Sequence, residues 1–500
     1  MAEIDKFFEL INKIERKYPV QEWTINGIDA WPFVRVQIRD IALKVNVKGK
    51  CVKNAHVKSK SELIFEKLKV FIASIRAIFT VFNPFKRIKV FLLGYVAHRQ
   101  NINNVWNNRF YEFLLQNLHG RTAVLLELKK TDYVKPRYNE QFVCEFSELA
   151  FLYRSIARMF ASKTPKSILP QFREVIEDIS ETYPEINRIT VPFIENYFNE
   201  IRNLKGLFSA ILKFNKPEAV LLLSYYSFEA TALVLAANVL GIPSVDMQHG
   251  VQGDYHIGYG NFFLKEKKNY NTLPAVFWNW DMGSAKAIKK WSKGSKHKPF
   301  VGGNTWLEFW GNSKEFNALY KNEISQEKKN VLISLQPSFD YNSEALLNLI
   351  ASATINGTWF IRVHPRQLAF FQEIQTYFTG LARTGGKQIE VSKATTLPLP
   401  VLLETSLVHI TFHSSVAIEA ASFNIPTVFL LDEAKDMYKG LIPAELLFTI
   451  ESLSKNEQVA RFEQVYYSQA KGVNNNNNNN NVIQKSKTID DFLEFWNTKN

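Results

Sequence analysis

Short apolar runs alternate with helix-like segments along most of the chain. The first five runs are IKVFLLGY (88–95), TAVLLEL (122–128), EAVLLLSYY (218–226), IPSVDMQ (242–248) and PAVFWNW (274–280). Continuous apolar runs of this length are typical of strands that are buried on both faces of a parallel sheet. The segment SFEATALVLAANVLG, which separates the third and fourth runs, predicts a helix that ends at Gly241.

A second series of apolar runs follows residue 325. It consists of NVLISLQ (330–336), TWFIRVHP (358–365), KQIEVS (387–392), LVHITF (407–412) and PTVFLL (426–431). A chain of 500 residues is too long for one hydrophobic core. The two series therefore predict an α/β fold with two Rossmann-like, doubly wound domains, and we expect them to face a central cleft.

The remaining segments complete the predicted domain organisation. Glycines in KPFVGGNTW (298–306) allow a sharp change of direction between domains. Eight consecutive asparagines near the C-terminus cannot pack a core, and TIDDFLEFWN after them predicts a last helix. We expect a helical, basic extension (1–87), an N-terminal acceptor domain (88–300), a C-terminal nucleotide-sugar domain (301–460), and a low-complexity loop with a terminal helix (461–500).

Most of the net charge of +13 is concentrated between residues 44 and 89, which hold twelve Lys or Arg against two acids. Apolar residues recur there at helical spacing, at Leu68, Phe71, Ile72, Ile75, Phe79 and Phe82. Two interpretations stay open: a core helix with solvated lysine flanks, or a helix that lies on an anionic membrane surface. The most apolar part is too short to span a bilayer. The run lacks any zinc-finger or RNP-like signature, so we expect no nucleic-acid partner.

Cysteine usage and the N-terminus indicate the compartment. Cys51 and Cys144 are isolated, which argues against a disulfide framework or a zinc cluster. The N-terminal MAEIDKFFELINKIERKYP has the pattern of an amphipathic helix and not of a signal peptide. The sequence thus predicts a protein of the reducing cytoplasm.

Polar groups follow the strand HITF in the second series. Ser414 and Ser415 open the next helix, where hydroxyls and free backbone N–H groups favour an anion. Glu419 lies one turn deeper and offers a carboxylate to ribose hydroxyls. The alternative is an ordinary serine N-cap followed by a solvated glutamate.

Two further strand ends of the same predicted sheet carry similar groups. The run WFIRVHPRQ supplies Arg362, His364 and Arg366, and ISLQPS supplies Gln336 and Ser338. Carboxyl ends of parallel strands meet at one edge, where ligands of open α/β sheets bind. Three such ends predict a site for a nucleoside mono- or diphosphate.

The N-terminal series ends one strand with QHG, within GIPSVDMQHGVQGDYHIGYGNF. His249 is a candidate general base because imidazole titrates near neutral pH, and Asp254 is a candidate to orient it or to act as the base itself. Asp246 and His256 are weaker candidates. The structural alternative is a capped strand end with a hydrogen-bonded histidine.

Other polar residues are candidates for the same domain. His98, Arg99 and Arg109 follow the first strand, where they are expected to bind an anionic or sugar acceptor. Glu229 is a further candidate base, although an acid in a first helical turn is also explained by the helix dipole.

Together, QHG, VGGN, RVHPR and HSSVAIEAASFNIPTV resemble bacterial cell-surface, capsule-type polysaccharide glycosyltransferases of the GT-B fold, with a looser likeness to CDP-glycerol polymerases. The resemblance covers about residues 88–450. It implies a nucleotide bound by the residues of the second series, namely Arg362, His364, Arg366, Ser414, Ser415 and Glu419. The chain lacks a D-x-D metal motif and a Gly-rich Walker or dinucleotide loop.

The sequence therefore predicts a glycosyltransferase that needs no metal and no cofactor. It would move a sugar from a nucleotide-sugar donor to a growing polysaccharide or glycolipid acceptor, on the cytoplasmic face of the membrane. Two alternatives remain: a sugar-nucleotide epimerase of the same two-domain shape, and a noncatalytic membrane-associated assembly protein.

Overall fold

A computed structural model describes residues 3–43, 60–129, 132–160, 166–263, 269–320, 323, 327, 329–337, 339–475 and 485–499. The chain forms two compact units. The described residues of the first unit lie within Met1–Val45, Lys53–Trp306 and Ser486–Asn500, and those of the second lie within Leu307–Lys485. The N-terminal helices and the terminal helix thus belong to the unit that holds the first βα series.

The described residues of the first unit form twelve strands. These are β1 (Thr24–Ile25), β2 (Ile28–Asp29), β3 (Val90–Tyr95), β4 (Arg99–Ile102), β5 (Val105–Asn108), β6 (Ala123–Leu128), β7 (Val143–Glu145), β8 (Ser167–Ile168), β9 (Ala219–Leu223), β10 (Ser244–Met247), β11 (Val276–Asn279) and β12 (Lys298–Val301). Its helices are α1 (Glu3–Lys17), α2 (Trp31–Ala42), α3 (Lys60–Val81), α4 (Glu112–Gln116), α5 (Ser147–Phe160), α6 (Phe172–Ser180), α7 (Val191–Asn215), α8 (Phe228–Val239), α9 (Met282–Ser292) and the start of α10 (Thr305–Asn312), followed at the C-terminus by the last helix (Ile489–Lys499).

Seven of these strands form one parallel sheet, in the order β12-β11-β10-β9-β3-β6-β7. By their order in the chain, the strands run 3-2-1-4-5-6 from β7 to β11, which is the strand order of the Rossmann fold, and β12 adds a seventh at the edge. The central β3 and β9 are buried along nearly their whole length, as the continuous apolar runs predict.

The helices of this unit begin and end where the local sequence requires it. Thr190 caps α7 by accepting a hydrogen bond from the backbone N–H of Phe193, and Pro192 occupies the first turn, where its missing N–H costs nothing. The alanine-rich α8 is buried on almost every side, and Gly241 adopts a φ of +69° just after its end. The predicted helix and its stop are therefore confirmed.

The second unit contains a six-stranded parallel sheet. Its strands are β13 (Asn330–Ser334), β14 (Trp359–Arg362), β15 (Ile389–Glu390), β16 (Ser406–Thr411), β17 (Thr427–Phe429) and β18 (Leu447–Thr449). The helices are most of α10, then α11 (Lys314–Tyr320), α12 (Glu344–Ser352), α13 (Phe371–Gly385), α14 (Ser392–Thr396), α15 (Leu399–Glu404), α16 (Val416–Ser422), α17 (Ala434–Met437) and α18 (Lys455–Asn475); the last helix of the first unit is α19. The order β15-β14-β13-β16-β17-β18 is again 3-2-1-4-5-6.

These two sheets confirm the predicted fold class, α/β with two Rossmann-like domains. All ten predicted strands are present. The sequence analysis missed three further strands of these two sheets, β7, β12 and β18, and the strands outside them, namely β1, β2, β4, β5 and β8. The sequence analysis interpreted the residues of β12 as part of the crossover, because the glycines at 302 and 303 indicate a change of direction. Pro299 is tolerated because β12 lies at the edge of the sheet.

The crossover glycines have a steric reason of their own. A Cβ at Gly302 would lie 2.0 Å from the ring of Trp278, and Gly303 adopts a φ of +80°. The backbone of Gly302 is further tied to the C-terminal segment, since its carbonyl accepts a hydrogen bond from the N–H of Lys487. The backbone therefore leaves the edge strand so close to the ring of Trp278 that no side chain fits at position 302.

Parts of the sequence predictions fall outside the described residues. These are residues 44–59 of the basic segment, including Cys51, and residues 476–484, which hold most of the asparagine tract. Cys144 is buried as a free thiol. Across the described segments, no helix combines the length and apolar character that crossing a membrane requires.

Candidate functional site

The topological switch point of the second sheet lies between β13 and β16. The chain winds outward from β13 through β14 and β15 on one side, and from β16 through β17 and β18 on the other. In open α/β sheets the loops that leave the two central strands diverge at this point, and ligands bind there. Gln336 follows β13 and His413 follows β16, so both lie at the switch point.

Gln336 and His413 are joined by two hydrogen bonds. The backbone N–H of His413 donates to Oε1 of Gln336 at 2.7 Å, and Nε2 of Gln336 lies 3.1 Å from Nδ1 of the His413 ring. The hydroxyl of Thr411 also donates to Oε1, at 3.2 Å. Because a backbone N–H only donates, it fixes the orientation of the Gln336 amide, so that Nε2 donates to Nδ1.

This arrangement also fixes the proton on His413. Burial lowers the pKa of His413, which keeps the ring neutral at pH 7. With Nδ1 acting as an acceptor, the single ring proton lies on Nε2. The backbone carbonyl of His413 is held as well, because it accepts a hydrogen bond from the hydroxyl of Tyr438 at 2.9 Å. His413 is therefore a positioned N–H donor at the switch point.

The two predicted serines start the segment that leads into α16. The hydroxyl of Ser414 accepts a weak hydrogen bond from the N–H of Val416 at 3.3 Å, and Ser415 occupies the N-cap position without a side-chain cap bond. Both are half-buried, as is Glu419 within α16. The structure thus brings His413, Ser414 and Ser415 together in one turn after β16.

The three candidate residues at the end of β14 have different surroundings, although the sequence analysis assigned all of them to the nucleotide. Arg362 donates from one guanidinium nitrogen to the carbonyls of Ala394 and Leu397, at 2.8 and 2.7 Å, and so holds the segment around α14. His364 accepts a hydrogen bond from the N–H of Arg366 at 3.1 Å. The side chain of Arg366 is exposed. Of these three residues, Arg366 is the one best able to reach a ligand.

Ser338, the remaining candidate in this unit, lies outside the described residues. The following residue, Phe339, stacks on Phe412 with ring centroids 4.4 Å apart and meets the edge of the His413 ring at 4.8 Å. These aromatic contacts fix the orientation of the His413 ring in addition to the Gln336 bond.

In the first unit, the switch point lies between β3 and β9. Tyr95 ends β3, and its hydroxyl lies 2.7 Å from the hydroxyl of Ser227, which precedes α8. A cavity of about 360 Å³ opens at this edge. Its lining is Val70, Tyr95, Leu128, Lys129, Ser147, Glu148, Ala150, Phe151, Arg154 and Glu229. Glu229 therefore faces a cavity at the switch point.

His249 lies one strand further along, at the end of β10. Its Nε2 is 2.9 Å from the hydroxyl of Ser224, and its Nδ1 is 3.4 Å from the carbonyl of Met247. A carbonyl only accepts, so Nδ1 carries the proton and Nε2 accepts from Ser224. Although the residue keeps part of its surface exposed, burial of the ring, together with the charge of Arg109, lowers its pKa to about 4. His249 is thus a neutral acceptor at pH 7.

The two aspartates near QHG have different surroundings. Asp246 is fully buried within β10 and accepts a hydrogen bond from the hydroxyl of Tyr259 at 2.8 Å. Burial raises its pKa to about 8, although the hydrogen bonds from Tyr259 and from the backbone near Ser224 act to lower it. Asp254 forms an ion pair with Lys290 at 3.0 Å instead of a described contact with His249. His256 is packed at 4.7 Å from the ring of Tyr259.

The three predicted acceptor residues are placed differently. Arg99 is fully enclosed, with Nε 2.5 Å from a carboxylate oxygen of Glu127 and a second nitrogen donating to the carbonyl of Trp106. The charge of Arg99 is therefore balanced inside the fold, whereas His98 and Arg109 stay predicted acceptor-binding residues. The backbone N–H of Arg109 donates to the carbonyl of His98, which links the two through the β4–β5 hairpin.

Sequence reasoning missed His413, Ser224 and Tyr95 as site residues. Each follows or ends a predicted strand at a switch point, and that position is the signal that could have identified them, had the strand order been known. Ser224 has a further mark that only a structure reveals: a φ of +54°, which is uncommon for serine and is found at functional sites. Over the described segments, no group of three or more His, Cys, Asp or Glu side chains is arranged to hold a metal ion.

Comparisons with known proteins give only distant structural likenesses. No family model and no curated protein matches the chain. Similar solved structures include the UDP-GlcNAc 2-epimerase of Methanocaldococcus jannaschii, with 11% identity, a TM-score of 0.42, and coverage of 75% of this chain and 92% of that one. The UDP-GlcNAc 2-epimerase of Neisseria meningitidis, bound to UDP-GlcNAc, has 14% identity, a TM-score of 0.41, and coverage of 76% and 94%. MurG of Acinetobacter baumannii has 12% identity, a TM-score of 0.37, and coverage of 82% and 99%. At these scores the similarities carry no argument about the activity of this chain.

Proposed function

We propose that this protein is an enzyme that acts on a nucleotide-activated sugar, whose nucleotide binds to the second unit. The observation that carries the proposal is the His413 N–H donor, oriented by Gln336 at the switch point of a sheet with the Rossmann strand order. The Nε2–H of His413 and the hydroxyls of Ser414 and Ser415 would donate to phosphate oxygens. Arg366 would add a positive charge, and Glu419 would accept from the ribose.

The reaction that we propose is transfer of the sugar to an acceptor hydroxyl. His249 would remove the proton of that hydroxyl: its ring is neutral, and its Nε2 lone pair is free to accept once the Ser224 hydroxyl turns away. Glu229 and Asp254 are the other candidate bases. His98 and Arg109 would bind the acceptor. With no metal in the proposed mechanism, the leaving phosphate would be stabilised by Arg366 and the His413 donor.

The acceptor in this proposal is a growing cell-surface polysaccharide or glycolipid, and the reaction takes place at the inner face of the cell membrane. A polar, phosphate-bearing donor is made in the cytoplasm, whereas such acceptors are anchored in the bilayer. A lipid-facing surface on this chain would bring the enzyme close to such acceptors.

A sugar-nucleotide epimerase is the second candidate, favoured by the opposite pKa shifts at the end of β10. Burial raises the pKa of Asp246 to about 8 and lowers that of His249 to about 4, so a proton donor and a proton acceptor coexist near pH 7. Removal and return of a proton on the sugar would use such a pair without any acceptor. The full enclosure of Asp246 favours transfer as the main proposal.

The test measures binding first and product second. Calorimetric titration of the full chain with CMP, CDP, UDP and GDP in the presence of EDTA should identify one nucleotide that binds. Arg366→Ala should weaken that binding several-fold, whereas Lys289→Ala, an exposed lysine on α9 of the other unit, should leave it unchanged. Wild-type affinity in Arg366→Ala would contradict the assignment of that residue.

Incubation with the matching nucleotide sugar then separates the reactions. Release of free nucleotide only when an acceptor is present supports transfer, and an isomerised nucleotide sugar without release supports epimerisation. Failure to bind any nucleotide would overturn both and favour a noncatalytic assembly protein.

A further inference from the structure

Helix α3 presents a continuous apolar stripe to the solvent. Its large side chains recur at intervals of three and four residues, so with about 3.6 residues per turn they fall on one side of the helix. Each is at least 36% exposed: Phe65, Leu68, Phe71, Ile72, Ile75, Ile78 and Phe79. Phe79 reaches 74%. Solvent-exposed apolar patches of this extent mark interaction sites in soluble domains.

The opposite side of α3 is what attaches it to the fold. Ser74, Ala77 and Val81 are almost completely buried. These side chains are small or medium-sized, so α3 rests on the unit through a narrow, close contact. The outward side of the helix is therefore more apolar than the inward side, which is the reverse of an ordinary surface helix.

Cations border the stripe on both edges. Helix α3 also contains Lys60, Glu62 and Glu66, whose side chains are not described; of the α3 side chains that are described, the charged ones are Lys67, Lys69 and Arg76, and Lys69 lies 4.4 Å from the ring centroid of Phe65. Just beyond the helix, Phe85 is 96% exposed and is followed by Lys86 and Arg87. A protruding phenylalanine flanked by cations is typical of segments that enter the headgroup region of a bilayer.

The apolar surface continues onto α5, which packs beside α3. Phe151, Ile156 and Met159 are exposed there, and Met159 reaches 79%. Val70 of α3 and Phe151 of α5 also line the same cavity at the switch point of the unit. The two helices thus form one surface that borders the cavity containing Tyr95 and Glu229.

We propose that this α3–α5 surface, defined by the exposed apolar residues of both helices and Phe85, docks on an anionic lipid membrane. Its apolar side chains would lie among the acyl chains, and its cations would contact lipid phosphates. A second copy of the chain is a less suitable occupant, because symmetric pairing would bring two cationic borders together. The inference is independent of the reaction that the enzyme catalyses.

Vesicle co-sedimentation with the purified full chain tests the proposal. We expect binding to vesicles of phosphatidylcholine with phosphatidylglycerol, and much weaker binding to phosphatidylcholine alone. The double variant Phe71→Ser/Phe79→Ser should bind at least about tenfold more weakly, because it removes two buried aromatic contacts with the acyl chains. The variant Lys69→Glu/Arg76→Glu should lose the preference for anionic lipid.

Matched variants control for general effects of the substitutions. Phe370→Ser removes an exposed phenylalanine from the second unit, and Lys289→Glu reverses an exposed lysine on α9. Both should bind vesicles as the wild type does, and unchanged melting temperatures confirm folding.

The proposal is overturned if the wild type binds neither vesicle type, or if the controls lose as much binding. It is also overturned if sedimentation shows a dimer that Phe71→Ser/Phe79→Ser dissociates, since the stripe would then be a subunit interface. Nucleotide affinity is measured on the same samples, so a failure here is distinct from a failure of the proposed function.

Discussion

The hydroxyl of Ser224 lies 2.9 Å from Nε2 of His249, across the ends of the adjacent parallel strands β9 and β10. Ser224 reaches this position in a left-handed conformation, with a φ of +54°. A serine in that conformation is strained by about 1 kcal/mol or more. This conformation places the Ser224 hydroxyl against Nε2, the unprotonated ring nitrogen that would act as the base in the proposed mechanism.

Two substitutions at Ser224 separate these effects. Ser224→Ala and Ser224→Gly both remove the hydrogen bond that orients His249, so turnover of the nucleotide sugar should fall by about 3- to 10-fold in each, with nucleotide affinity unchanged. Only glycine adopts the positive φ without strain, so Ser224→Gly should be more stable than Ser224→Ala by roughly 1 kcal/mol. Turnover assays and thermal melts measure the two quantities. Unchanged turnover in both variants would remove Ser224 from the mechanism.

Asp246 predicts a pH dependence of stability. Burial raises its pKa to about 8 from an ordinary value of 3.8, so between these pH values the folded state binds a proton that the unfolded state lacks. Its contribution to stability is therefore complete below about pH 4 and is lost as the pH rises to about 8, with a slope of up to about 1.4 kcal/mol per pH unit.

Asp246→Asn isolates this contribution, because asparagine keeps an acceptor for the hydroxyl of Tyr259 and does not titrate. Denaturant unfolding from pH 5 to pH 8 should show the variant gaining stability relative to the wild type as the pH rises. The comparison cancels the other titrating groups. A constant difference across this range would mean that Asp246 is ionised in the folded protein.

His413 should account for much of the nucleotide affinity. His413→Phe keeps a ring beside Phe339 but removes the Nε2–H donor, and a hydrogen bond to a charged group contributes about 1.5–3 kcal/mol. We therefore expect binding that is at least about tenfold weaker by calorimetry. Tyr438→Phe is the matched control: it removes the hydroxyl that binds the backbone carbonyl of His413 and leaves the ring in place. Equal affinity losses in the two variants would indicate a structural role for His413.

The two βα series, and thus both sheets, could be predicted from the sequence, because strands that are buried on both faces consist of continuous apolar runs. Residues at the strand ends were harder to assign. Arg99 and Arg362 carry the charges expected of ligand-binding residues, yet Arg99 pairs with the buried Glu127 and Arg362 binds the carbonyls of Ala394 and Leu397. Partners distant in the chain decide whether a cation serves the fold or a ligand. Strand order, which identifies the switch points, likewise depends on pairing that periodicity does not specify.

The α3–α5 surface predicts a link between the membrane and catalysis. Because Val70 and Phe151 line the cavity that contains Tyr95 and Glu229, a lipid-anchored acceptor would reach this cavity along the surface on which the enzyme docks. Turnover with a lipid-anchored acceptor should therefore rise several-fold when vesicles containing phosphatidylglycerol are added, through a lower KM for the acceptor. Phe71→Ser/Phe79→Ser should lose that stimulation while keeping wild-type nucleotide affinity, since α3 belongs to the first unit and the nucleotide is assigned to the second. Phe370→Ser, as the matched control, should be stimulated like the wild type. Stimulation that persists in the double variant would mean that lipid acts on the acceptor alone and that docking through α3 does not serve the reaction.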